Sequence, residues 1–153
     1  MRISRPRAWT WRLLASIVTL LASAMGFELL KKRALSFLRD AKVDYEHEDY
    51  DLALFHVEQF VQLYSKYLLY KKIGDYPKTH SVVRLLRDLV KVYEDCGLKS
   101  LISEDLEMLY LLEESYVSSR YIPREYDREI ASKVLRLAEK LHEVFRCLEE
   151  KSR

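Results

Sequence analysis

Three polar residues interrupt a long, mostly apolar helical stretch, and their types and spacing make them the first candidates for chemistry. They are His56, Gln59 and Lys66, within the stretch from Asp49 to Lys72. Separations of three and seven residues place them on one strip of a helix. A helix that is apolar on most sides is surrounded by other elements. Its polar strip therefore either meets partners inside the protein or lines a binding site.

Two residues further along the chain could complete a phosphate-binding site. His80 is expected just inside the start of the next helix, where free N–H groups and positive potential can hold a phosphate. Arg120 lies in an expected loop, where its guanidinium could bind a phosphate through two hydrogen bonds. Together with His56, Gln59 and Lys66, they form our set of candidate nucleotide-binding residues.

These five residues cannot all contact one phosphate. Antiparallel pairing of the two helices brings His80 near Lys66, whereas His56 lies about 15 Å from Lys66 at a rise of ~1.5 Å per residue. Either the set lines an elongated groove suited to a nucleotide, or His56 and Gln59 form a polar pair in the core. We favour the pair, because burying an imidazole without a partner is costly. In that case only Lys66, His80 and Arg120 meet a ligand.

The sequence predicts neither a metal site nor a cofactor. The four histidines are scattered, and no His or Cys pair has the spacing that places two metal ligands on one helix face. The three glycines are isolated, which excludes a glycine-rich phosphate loop. The two cysteines, Cys96 and Cys147, are expected to be reduced thiols that are buried or have no chemical role. They are not expected to form a disulfide framework.

Apolar residues recur at helical spacing through most of the chain, and no stretch shows sustained strand alternation. The scarcity of glycine and proline agrees with this pattern. The fold class is therefore predicted to be all-α, an antiparallel up-and-down bundle of about five helices. The helices are expected to begin near Gly26, Asp49, Thr79, Ser103 and Tyr126 or Asp127. A loop is expected over 118–123, since Pro123 disfavours helix at the residue before it.

The first 24 residues differ from residues 25–153, which form the predicted helical domain. They hold four arginines and no acidic residue, so removing them changes the net charge from +2 to about −2. A mildly acidic domain is a poor general platform for nucleic acid. The layout of basic residues, an apolar run and Ala22-Ser23-Ala24 has three interpretations. We favour an upstream mis-start with Met25 as the natural first residue, then a secretory signal or membrane anchor, then an extra docked helix.

These interpretations set the expected location of the protein. We expect a cytoplasmic protein with no membrane contact for residues 25–153. Secretion or membrane anchoring is expected only if residues 1–24 are a true signal. The apolar run in that segment is well short of the roughly 20 residues that span a bilayer.

Several short motifs between residues 26 and 145 match one known family. They are Leu38-Arg39-Asp40-Ala41, Asp51-Leu52-Ala53, His56-Val57-Glu58-Gln59, Thr79-His80-Ser81, and Arg120-Tyr121 two residues before Pro123. In these motifs the chain resembles the HEPN domain family of prokaryotes. The match is more specific in the first half, and Phe60 departs from the small residue that usually follows Glu-Gln.

The resemblance implies a helical bundle that forms a homodimer and binds a nucleotide or RNA. It also implies a minimal nucleotidyltransferase as partner, often in a toxin–antitoxin pair. Catalytic family members are metal-independent ribonucleases with an Arg followed after four to six residues by a His. Here no His follows Arg120 in that window, and Glu125 stands there instead. We therefore expect a non-catalytic protein; the alternatives are a ribonuclease toxin that uses Arg120 with another acid–base residue, or a purely structural helical dimer.

Overall fold

A computed structural model describes residues 7–121 and 125–152, without the side chains of residues 19–25, 119 and 120. The described ranges form six α-helices and no strand, which confirms the predicted all-α bundle. The helices are α1 (Ala8–Glu46), α2 (Tyr50–Ile73), α3 (Val82–Val92), α4 (Leu98–Glu104), α5 (Leu106–Tyr121) and α6 (Arg128–Lys151).

Helix α2 is the centre of the bundle, and it contacts α1, α3, α5 and α6. Its apolar residues point in most directions, so most of its length is buried. Leu54, Phe60 and Leu68 have no exposed surface. The ring of Phe60 also packs at 5.9 Å from that of Phe145 on α6. This burial explains why polar residues on α2 must find partners from other elements.

The ends of the helices follow from local chemistry. Gly74 ends α2 in the left-handed conformation, with φ of 75°, as expected for a residue without Cβ. Asp127 caps α6 by accepting a hydrogen bond from the N–H of Ile130, and the helix begins where it was predicted to begin. The helix expected to begin near Thr79 begins at Val82. Ser81 caps α3 instead, and its own N–H donates to the Thr79 hydroxyl.

Two other predicted boundaries also differ from the structure. Ser103 lies inside α4, and the break comes at Asp105, because α4 ends there and α5 starts at the next residue. Helix α5 continues to Tyr121, so the predicted loop over 118–123 is helical at least that far, and residues 122–124 lie outside the described ranges. The start of α2 after Asp49 agrees with the prediction: the backbone carbonyl of Asp49 accepts from the N–H of Ala53, and its side chain makes no cap bond.

Helix α1 begins well before Gly26, at Ala8. The side chains of residues 11–18 are exposed, so this part of the helix is not docked in the bundle. Phe27 and Leu30 pack against the core, and the predicted buried stripe is confirmed at Ala34 and Leu38. Every helix in the described part of the chain is too short or too polar to cross a bilayer.

The prediction of free thiols is wrong. Cys96 and Cys147 form a disulfide that joins the start of α4 to the end of α6. The two residues are 51 positions apart in the sequence, and only the tertiary packing that brings the end of α6 beside the start of α4 joins them. Their separation and number gave no signal of this pairing.

Candidate functional site

A chain of polar side chains runs along one strip of α2 and ends at the protein surface. The buried carboxylate of Glu58 accepts hydrogen bonds from Gln59 Nε2 at 2.6 Å and from Gln62 Nε2 at 2.7 Å. The carbonyl oxygen of Gln62 then accepts from Lys66 Nζ at 3.0 Å. His80 Nδ1 lies 3.3 Å from the same oxygen. Because one oxygen binds both, the Lys66 and His80 nitrogens lie within about 6 Å of each other.

This chain of bonds determines the roles of the His80 nitrogens. A carboxylate only accepts, so the Gln62 amide must direct its NH₂ group to Glu58 and its oxygen to His80. Nδ1 of His80 therefore carries a proton. Its Nε2 accepts a hydrogen bond when the ring is neutral and donates one when the ring is protonated. The ring stacks on Tyr116 of α5, with centroids 4.7 Å apart, and the residue is exposed to solvent.

Lys66 is a partly buried cation beside this histidine. Burial lowers the pKa of Lys66, and the opposite charge of Glu58 opposes that shift. Its ammonium lies 5.6 Å from the ring centre of Tyr76, which adds a cation–π contact. Only one of its three N–H donors is used by Gln62. Such an ammonium gains more from an anionic ligand than a fully solvated one does.

The start of α3 does not provide the free N–H groups that we expected near His80. His80 lies before the helix, since Ser81 is its cap. Glu113 accepts from the Ser81 hydroxyl at 2.7 Å and from the N–H of Val83 at 2.9 Å. The N–H of Arg84 bonds to the Ser81 hydroxyl. A carboxylate of the protein thus occupies the place that a phosphate would take, and a ligand here must use side chains.

His56 is separate from this network. Its Nδ1 lies 2.5 Å from Asp44 Oδ2 of α1, and both side chains are mostly buried. The ring also stacks on Phe37 of α1, with centroids 5.6 Å apart. His56 therefore has a partner inside the protein, as we favoured. That partner is Asp44 and not Gln59, so the predicted His56–Gln59 pair is wrong.

Gln59 connects the network to a cleft on another side of α2. While its amide donates to Glu58, the residue lines a cleft of about 510 Å³ between α1 and α2, together with Arg33 and Asp40. Gln59 is thus bonded to the same carboxylate as Gln62. It does not share a hydrogen-bond partner with Lys66 or His80.

The side chain of Arg120 lies outside the described residues. Its backbone belongs to the last turn of α5, and not to a loop. It follows Tyr116 by four residues, so the two positions share one face of α5. Of the five predicted residues, the structure brings Lys66 and His80 directly together, ties Gln59 to them through Glu58, and separates His56.

Glu58, Gln62 and Tyr116 are members of the site that were not predicted from the sequence. Glu58, Gln62 and Lys66 follow one another at steps of four residues, which is a usable signal for one helix face. Tyr116 had no such signal, because only the packing of α5 on α2 brings it to His80. Among the described residues, no group of three or more His, Cys, Asp or Glu side chains could hold a metal ion.

Comparison with known proteins agrees with the helical bundle. The profile of the HEPN domain family matches residues 27–148, which is most of the chain. The chain belongs to the HEPN domain family. The HEPN match includes the whole Glu58–His80 network and all of α2 to α5, and it begins after the exposed first part of α1.

A solved structure has a similar fold. The crystal structure of TT1696 from Thermus thermophilus superposes with a TM-score of 0.63 at 25% sequence identity. The superposition covers 82% of this chain and 97% of the other. No curated protein matches the chain.

Proposed function

We propose that this HEPN protein is non-catalytic and binds a nucleotide, whose phosphate contacts Lys66 and His80. The observation that supports this most is the shared oxygen of Gln62, which holds an ammonium and an imidazole side by side at the surface. Nδ1 of His80 is bonded to Gln62, so the groups that would bind the phosphate oxygens are the Lys66 ammonium and, in the protonated ring, Nε2 of His80. The buried carboxylate of Glu58 orients Gln62 and thereby both donors.

Aromatic rings beside the two donors support a nucleotide over a bare phosphate. One face of His80 is covered by Tyr116, and the exposed residue offers its other face for stacking. Tyr76 is partly exposed beside Lys66. A base can stack on such rings for about 1–3 kcal/mol whatever its identity.

The described residues of the proposed site favour anion binding over RNA cleavage. Lys66 and His80 could stabilise an anion, but the adjacent carboxylates of Glu58 and Glu113 already accept bonds from protein groups. The family's ribonuclease pattern needs a His shortly after Arg120, and the sequence has none there. We therefore favour binding over cleavage.

Titration of ATP and of a short RNA into the full chain tests this proposal. Lys66→Ala and His80→Ala should each weaken ATP binding by about tenfold or more, the equivalent of ~1.4 kcal/mol. Lys99→Ala is a matched control, because Lys99 is exposed on α4, away from the network. Unchanged affinity in both variants, or no binding by the parent, would contradict the proposal. Growth arrest on expression that Arg120→Ala abolishes would favour the ribonuclease instead.

We further propose that the protein acts as a homodimer with a minimal nucleotidyltransferase as partner, in a toxin–antitoxin type of pair. An apolar stripe supports the dimer: Tyr110, Val117 and Tyr121 are 48%, 48% and 77% exposed and share one face of α5. Two-fold pairing through such a stripe would cover it in both copies. Co-purification from the native source, with mass spectrometry of bound proteins and ligands, tests the partner. Recovery of the chain without any nucleotidyltransferase would contradict it.

A further inference from the structure

The first part of α1 carries a cluster of exposed large apolar side chains. Six large apolar side chains between residues 9 and 18 are 48% to 63% exposed. They are Trp9, Trp11, Leu13, Leu14, Ile17 and Val18. A contiguous apolar patch of this kind marks an interaction surface.

The distribution of these residues around the helix indicates what could cover them. At ~100° per residue they span an arc of about 200°, and Arg12 and Ser16 lie on the remaining side. A helix packed on a protein core needs a narrower stripe, of roughly 100°. An arc twice as wide suits a helix that is sunk in the boundary between lipid headgroups and acyl chains.

The distribution of charge along the chain also favours a lipid bilayer as the partner. Residues 1–24 carry four arginines and no acidic residue, whereas the rest of the chain has a net charge of about −2. This local positive charge attracts an anionic lipid surface and makes two copies of the segment repel each other. Trp9 and Trp11 add to the match, because tryptophan prefers the boundary between water and an apolar phase.

In place of the upstream mis-start that the sequence favours, we propose that residues 8–18 bind the surface of an anionic lipid bilayer, with this first part of α1 lying in the plane of the interface. The apolar arc enters the membrane boundary, while Arg12 contacts the headgroups. The HEPN match begins at residue 27, so this binding is independent of the proposed nucleotide site. Bilayer binding would keep the nucleotide-binding bundle at a membrane.

Tryptophan fluorescence gives a selective assay, since Trp9 and Trp11 are the only two tryptophans in the chain. The full chain is titrated with vesicles of phosphatidylglycerol and phosphatidylcholine, and separately with phosphatidylcholine alone. We expect a blue shift of emission and co-sedimentation with the anionic vesicles. Affinity should be about tenfold or more lower for the neutral vesicles, and it should fall as salt screens the arginines.

Variants distinguish specific membrane binding from non-specific apolar association. The double variant Leu14→Asp, Ile17→Asp should lose vesicle binding, and Arg12→Glu should weaken it, while circular dichroism stays helical because these side chains are exposed. Val43→Asp, at an equally exposed position near the other end of α1, should bind like the parent. Absence of a blue shift with either vesicle would overturn the proposal. So would a blue shift that grows with protein concentration without lipid, since a second copy would then cover the surface.

Discussion

Tyr64→Phe should destabilise the bundle, because Tyr64 joins α2 to α6 through a buried carboxylate. Its hydroxyl donates to Glu149 Oε1, and the two residues are 1% and 7% exposed. The other oxygen of Glu149 lies 3.0 Å from Lys31 Nζ and 3.9 Å from Lys71 Nζ. Hydrogen bonds to a charged group contribute about 1.5–3 kcal/mol. A loss of ~2 kcal/mol would lower Tm by roughly 4–8 °C in a chain of this size.

The same network predicts how stability depends on alkaline pH. Burial and the hydrogen bond to Glu149 raise the pKa of Tyr64, and burial and the charge of Glu149 raise the pKa of Tyr67 and of Tyr93 to about 12 each. The unfolded chain loses these protons near pH 10, while the folded chain keeps them. Their contribution to stability is therefore complete below pH 10 and is lost as pH rises towards 12.

Urea unfolding at pH 7 and at pH 11 checks both statements. Tyr64→Phe removes a tyrosine whose pKa is raised in the folded chain. The variant should therefore lose less stability between pH 7 and pH 11 than the parent does. Tyr70→Phe is the matched control, since Tyr70 lies on the same helix with a partly exposed ring whose contacts to Phe27 and Tyr76 a phenylalanine keeps. The reasoning is refuted if Tyr64→Phe behaves like this control. It is also refuted if the difference between Tyr64→Phe and the parent is the same at both pH values.

Three further results are expected. His56→Ala should lower thermal stability by the equivalent of about 1–3 kcal/mol, because it leaves the buried Asp44 without its partner; an unchanged Tm would contradict this. A chain that starts at Met25 should fold cooperatively with helical circular dichroism, since residues 11–18 are exposed; a molten or insoluble product would contradict it. Light scattering should show a dimer at micromolar concentration that becomes a monomer in Val117→Glu, and a parent that is only monomeric would rule out the dimer.

The sequence was sufficient for the fold class, because periodic apolar residues determine where long helices lie. The sequence was less informative where two neighbouring residues were equally good candidates for a helix cap. Thr79 and Ser81 are both good caps, and only the position of Glu113 against the Ser81 hydroxyl favours the second. The disulfide between Cys96 and Cys147 depends on the return of α6, which spacing in the sequence does not reveal.

The candidate site, like the fold, could be predicted from the sequence only in part. Lys66 and His80 could be placed together from antiparallel pairing of α2 with the following segment. Gln62, which holds them, was missed because an amide on a buried helix is normally a structural residue. The partner of His56 was missed because the register of α1 against α2, which brings Asp44 opposite it, is a tertiary feature.

Nuclear magnetic resonance of the isotope-labelled full chain during titration with ATP is the most direct test of the proposed nucleotide site. The account predicts saturable shifts of the side-chain amide of Gln62 and of the backbone amides of Lys66, His80 and Tyr116. Shifts confined to other parts of the bundle, or no shifts at millimolar ATP, would contradict the claim that Lys66 and His80 bind a nucleotide.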